Sequence, residues 1–96
     1  MARSDATIYR PSTTQTVTTS GTSAATSNGF AAQTYAVRVT CTTDTHIVFG
    51  GSPTATTGDV FMPAGVVEYF QVTPGQKLAA IQNASAGVVY VTELTH

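Results

Sequence analysis

Charge is what this sequence has least of. Asp, Glu, Lys and Arg make up 9% of its 96 residues, against about a quarter in an ordinary soluble domain. The few basic residues form no stripe able to neutralise phosphates, which argues against nucleic acid as a partner. Nor do they build a cationic amphipathic segment that would seek anionic lipid. No apolar run is long enough to cross a bilayer. The opening Met1-Ala2-Arg3-Ser4-Asp5 lacks the apolar centre of a signal peptide, so the expectation is a chain made without Sec export. Cysteine occurs once, at Cys41, which excludes a disulfide among these residues. Tryptophan is absent and leucine is confined to Leu78 and Leu94.

What is abundant is threonine, alanine and valine. Branching at Cβ restricts χ1 in a helix, so threonine and valine favour the pleated strand. A chain of this length supports one domain, and folding buries only about two-thirds of its unfolded surface. Help from partner subunits is therefore plausible on size alone. A surface of hydroxyls and amides also costs less to desolvate than one of lysines, which suits a protein surrounded by copies of itself or by a partner.

The order of alternating runs and turns indicates an all-β fold, a small antiparallel β-sandwich or jelly-roll-like barrel with an extended N-terminal arm. Residues 1–14 read as the arm and 15–96 as the sandwich domain. Within the domain, Gln15 to Thr19 reads as a short edge strand and the small-residue stretch from Ser20 to Gly29 as a loop. Tyr35, Val37, Val39 and Cys41 alternate with Ala36, Arg38 and Thr40, which places the first set toward the core. After Thr42-Thr43-Asp44-Thr45, the run His46 to Phe49 is expected to return antiparallel. Val60-Phe61-Met62 is a short apolar piece within a long loop. From Val66 to Thr73 both faces carry apolar residues, so one face should meet the core and the other something else. Pro74-Gly75 marks a turn, Gln76 to Gln82 is expected to pair back, and Val88 to Leu94 closes the sheet.

Chemistry has little to work with. Cys41, Asp44 and His46 supply a thiol, a carboxylate and an imidazole close in sequence, the parts list of a cysteine nucleophile. No glycine-rich elbow, helix N-terminus or oxyanion donor accompanies them, so no enzyme is expected. His46 and His96 share no recognised metal-ligand spacing, and neither a metal nor another cofactor is expected. Glu68 shares a face with Val66, Phe70 and Val72. It either lies exposed at a strand edge or, on a core face, needs a cation such as Arg38. Tyr35, Tyr69, Phe70 and Tyr90 fall in strands, where packing in the core or at an interface outweighs a sugar-stacking role.

The second half has a recognisable order. Phe49-Gly50-Gly51-Ser52-Pro53-Thr54-Ala55-Thr56 precedes Asp59-Val60-Phe61-Met62-Pro63-Ala64-Gly65. Phe70-Gln71-Val72-Thr73-Pro74-Gly75-Gln76-Lys77-Leu78-Ala79-Ala80-Ile81 follows, and Gly87-Val88-Val89-Tyr90-Val91-Thr92-Glu93-Leu94 closes the chain. This pattern, over residues 34–95, resembles small virion structural proteins of tailed bacteriophages, in particular capsid decoration or cement proteins. The resemblance implies a protein on the capsid exterior, reached from the host cytoplasm during assembly, that bridges capsid subunits. Its implied partners are the major capsid protein and copies of itself, as a trimer. Ile8, Tyr9, Pro11, Val17, Phe61 and Met62 are the expected interface residues, with the edge near Gln15 to Thr19 pairing across it. The rival reading is a neck or tail protein, or a receptor- or glycan-binding module of a tail fibre working through the loop from Gly50 to Gly65.

Overall fold

Alternating branched residues need a second layer to cover their apolar side, and here the chain supplies both layers itself. The computed structural model describes residues 10–95. It contains strands β1 (Arg10–Thr18), β2 (Ala24–Ala25), β3 (Ala36–Cys41), β4 (Thr45–Gly50), β5 (Val60–Met62), β6 (Glu68–Gln71), β7 (Lys77–Gln82) and β8 (Val88–Thr95). They form a front sheet in the order β1-β8-β3-β6 and a back sheet in the order β2-β7-β4-β5. First pairs with last, second with seventh, third with sixth and fourth with fifth, all antiparallel. That nesting is the jelly-roll arrangement of a β-sandwich.

Every connection except β4 to β5 passes from one sheet to the other. This corrects two expected hairpins. The run from Thr45 does not fold back beside β3; the Thr42-Thr43-Asp44 link carries it to the back sheet, where it pairs with β5 and β7. Likewise β7 does not return on β6 but lies between β2 and β4. The turn itself forms as read: Gln76 N–H donates to Thr73 O at 3.1 Å, and Gly75 takes a φ of 88° that a side chain would resist. Two further differences concern boundaries. The first strand starts at Arg10, so residues 10 to 14 are paired with β8 instead of forming an arm, and the rest of that arm lies outside the described residues. Ala24–Ala25 and Val60–Met62, read as loop, are short strands.

The core lies between the sheets. Val17, Val37, Val39, Cys41, Val89 and Val91 enter it from the front, and Ile47, Met62, Leu78 and Ala80 from the back. Each larger aliphatic side chain so buried contributes roughly 1.5–3 kcal/mol. Phe49 lies against Phe70 and Phe30 at centroid distances of 5.3 and 6.2 Å and closes one end. Tyr35 departs from its expected core position and is 59% exposed. The Ala31–Thr34 turn, where Thr34 N–H donates to Ala31 O, interrupts the alternation just before β3 and buries Thr34 instead.

Candidate functional site

The two sheets present unlike outer faces. On the back sheet, strand parity points Ala25, His46, Ala79, Ile81 and Phe61 away from the core. Yet Ala79 is fully buried and His46 is 8% exposed. The link between β4 and β5 is the cover. Ala55 in that link is buried, and its N–H donates to the Ser23 hydroxyl at 2.8 Å, beside β2 at the far edge of the same sheet. His46 Nδ1 lies 3.1 Å from the Asp59 carbonyl oxygen. Its Nε2 meets the Asn83 side chain at 2.9 Å, and its ring lies against Phe61. The protein thus covers the centre of this face with its own chain and leaves Phe61 exposed at the β5 margin.

On the front sheet, by contrast, the outer face is open around Tyr69 and Tyr90, while Leu94 at one end of it is buried. Tyr69 on β6 stands opposite Arg38 on β3, which stands opposite Thr92 on β8 and, beyond it, Thr14 on β1. The next outward row runs Thr40, Tyr90 and Thr16. Tyr69 is 64% exposed and Tyr90 40%. They flank β3 two residues out of step, which strand geometry puts at about 12 Å apart. Val67, two residues before Tyr69, is also exposed. Thr14 and Thr92 share a hydroxyl bond of 2.9 Å that ties β1 to β8 on this surface. The chemistry on offer is that of a contact face: flat aromatic rings among hydroxyls, with one guanidinium between them.

The expected interface residues do not converge on this face. Ile8 and Tyr9 lie outside the described residues. Pro11 is exposed on β1, opposite Leu94. Val17 and Met62 are corrections: both are buried in the core, because their strand positions turn them inward. Phe61 is exposed at the edge of the back sheet. For Tyr69 and Tyr90 the sequence leaves core and interface packing both open, and only the two-sided apolar pattern of Val66 to Thr73 points to the strand that carries Tyr69.

The Cys41, Asp44 and His46 side chains are dispersed. Cys41 is buried and its thiol donates to the carbonyls of Met62 and Pro63 at 3.4 and 3.5 Å. Burial pushes its pKa above the usual 9.0; a hydrogen bond with Thr45 partly offsets this, and the Asp44 charge adds to it. A nucleophile needs the opposite shift. Asp44 accepts from Ala64 N–H at 2.8 Å while its carbonyl accepts from Asn83 N–H, so it fastens three turns at one end of the sandwich. A shallow depression there is lined by Thr42, Thr43, Asp44, Ala64, Asn83 and Ser85. Glu68 is exposed and opposite Val39, whereas Arg38 is opposite Tyr69, so the two charges lie on opposite faces of the sheet. Among the described residues no three His, Cys, Asp or Glu side chains are grouped to hold a metal ion. No helix among them is long and apolar enough to cross a membrane.

Comparison with protein families, with curated proteins and with solved structures finds no match to this chain.

Proposed function

We propose that the protein is a structural component of a tailed-bacteriophage particle. It decorates the capsid exterior by docking the open front face on the major capsid protein, beside copies of itself. The observation that carries the reading is the unequal treatment of the two sheets. One outer face is covered over its centre by the protein's own β4–β5 link, with Phe61 exposed only at its margin, and the other leaves Tyr69 and Tyr90 in solvent on either side of β3. Tyrosine is enriched at protein contacts because it brings a large rigid area and a polar tip. The low charge of the chain keeps desolvation of that face inexpensive. The jelly roll is also an architecture of viral capsid domains, which supports the reading by analogy of fold alone.

Purified particles test it directly. Quantifying this chain against the major capsid protein should give comparable copy numbers, with loss of the chain lowering resistance to heat or chelator. A handful of copies per particle would move the protein to the neck or tail.

A second reading has one observation in its favour. Jelly rolls also serve as lectin domains, and Tyr69 and Tyr90 flank Arg38 and Thr40 as rings and hydrogen-bonding groups would to seat a sugar. Binding of the purified chain to a glycan array or to host cells, lost on Tyr69→Ala, would favour a receptor-binding role over decoration.

A further inference from the structure

Edges of sheets carry unpaired main-chain groups, and proteins protect them with short strands, charges, proline or bulges. The edges here are protected unequally. In the back sheet the edge strands β2 and β5 are two and three residues long. In the front sheet β6 has four residues and carries Glu68. The remaining edge is β1, with nine residues, and from Pro11 to Thr18 it bears no charge.

The hydrogen-bond alternation shows which groups of β1 are free to pair. Thr19 N–H donates to Gly87 O at 2.8 Å, continuing the register that sets Val17 opposite Val89 and Gln15 opposite Val91. In an antiparallel ladder the bonded positions alternate, so Gln15, Val17 and Thr19 turn their main-chain groups to β8. Thr42 N–H donating to Val88 O fixes the complementary set on β8, whose positions 88, 90 and 92 face β3. The N–H and C=O of Thr14, Thr16 and Thr18 therefore point outward. Among the described residues no other group bonds to them. Toward the N-terminus a register shift between Pro11 and Thr14, together with the missing N–H of Pro11, ends the regular edge.

We propose that this edge pairs with the same edge of a second copy, β1 against β1, about a two-fold axis at Thr16. Antiparallel pairing there sets Thr16 against the partner's Thr16 and Thr14 against the partner's Thr18. Each opposed pair exchanges both of its N–H···O bonds. The segment is self-complementary because every outward position in it is threonine. Threonine pairs across strands are favourable, and Thr14 with Thr92 already forms one inside the sheet. No charge on one copy meets a like charge on the other. The two front sheets then run on as one, with both tyrosine faces on its outer side. The pairing is independent of the capsid reading and holds for the free protein.

Light scattering of the full chain during size-exclusion chromatography tests it. The expected result is twice the 9.9 kDa chain mass. Thr16→Lys sets lysine against lysine and should reduce the mass to that of one chain, as should Thr16→Glu. Mixing the two variants should restore the pair, because opposite charges then face each other. Thr16 is exposed, so neither variant disturbs the core, and an unchanged melting temperature verifies this. Hydrogen exchange supplies the second readout: amides of Thr14, Thr16 and Thr18 should be protected in the wild type and lose protection in Thr16→Lys. A monomer at all concentrations, a trimer, or a dimer in which these amides exchange freely would overturn the proposal. So would a dimer indifferent to Thr16→Lys.

Discussion

Glu93 holds Thr34 from inside the sandwich. Its Oε1 accepts the Thr34 hydroxyl at 2.6 Å and the Ala31 N–H at 2.9 Å, and both Glu93 and Thr34 are buried. The carboxylate thereby fastens the turn before β3 to the interior of the front sheet. Glu93→Ala leaves the buried Thr34 hydroxyl and the part-buried Ala31 N–H without this acceptor and is expected to cost about 2 kcal/mol. Glu93→Gln keeps a carbonyl oxygen in reach and should cost less, since only the charge assistance is lost. Urea midpoints of the two variants check the order; an alanine variant as stable as the wild type would contradict the role.

Gly87 is needed for a different reason, close approach. A Cβ there would overlap the hydroxyls of Thr42 and Thr43. Those hydroxyls are in use: Thr42 Oγ1 accepts from Val88 N–H at 2.9 Å. Gly87→Ala is expected to lower stability by about 1–3 kcal/mol through overpacking. Gly21, with nothing within 4 Å of its added Cβ and no positive φ, is the control, and Gly21→Ala should leave the thermal midpoint within a degree or two.

Cys41 should behave as an inert thiol with a pH signature. Its raised pKa means that the folded protein holds a proton the unfolded chain releases first. Between the unfolded and folded pKa values the native state binds more protons, so stability falls as pH rises. The Cys41 contribution is thus constant below about pH 9 and declines above it. Cys41→Ala removes this component, and subtracting its stability-pH curve from that of the wild type isolates it. A thiol reagent should label Cys41 at the rate of unfolding; immediate labelling of the native protein would show the site to be open.

The front face makes a prediction separable from folding. Tyr69→Asp and Tyr90→Asp alter exposed side chains and should leave the melting temperature nearly unchanged. Both should abolish incorporation into particles, whereas Phe61→Ser on the back sheet should be incorporated normally. The reverse pattern would transfer the contact to the back-sheet margin. Deleting residues 1–9 leaves β1 intact and is expected to preserve the fold while reducing occupancy on the particle.

Much of the local structure was legible in the chain itself. Branched residues in alternation mark β3 and β8, the Pro74-Gly75 turn marks the start of β7, and the inward set Val37, Val39 and Cys41 follows from period two alone. Pro74-Gly75 marked a turn whose geometry the fold retains. Sheet membership was not legible. Thr42-Thr43-Asp44 joins two strands that both point apolar side chains at one core, and that condition is met equally by a hairpin and by a step between layers. Side-chain alternation records the direction of the core, not which neighbour completes the ladder. The same limit concealed the site. Tyr69 and Tyr90 occur in the same strand-like settings as Phe49 and Phe70, and what covers each one decides which is exposed. A nine-residue link covers the centre of the back sheet, and no comparable link of the described chain lies over Tyr69 and Tyr90. Local sequence determined strands and turns because it sets backbone preference and side-chain parity. Only tertiary structure decided the pairing, the free edge and the open face, because those depend on partners distant in the chain.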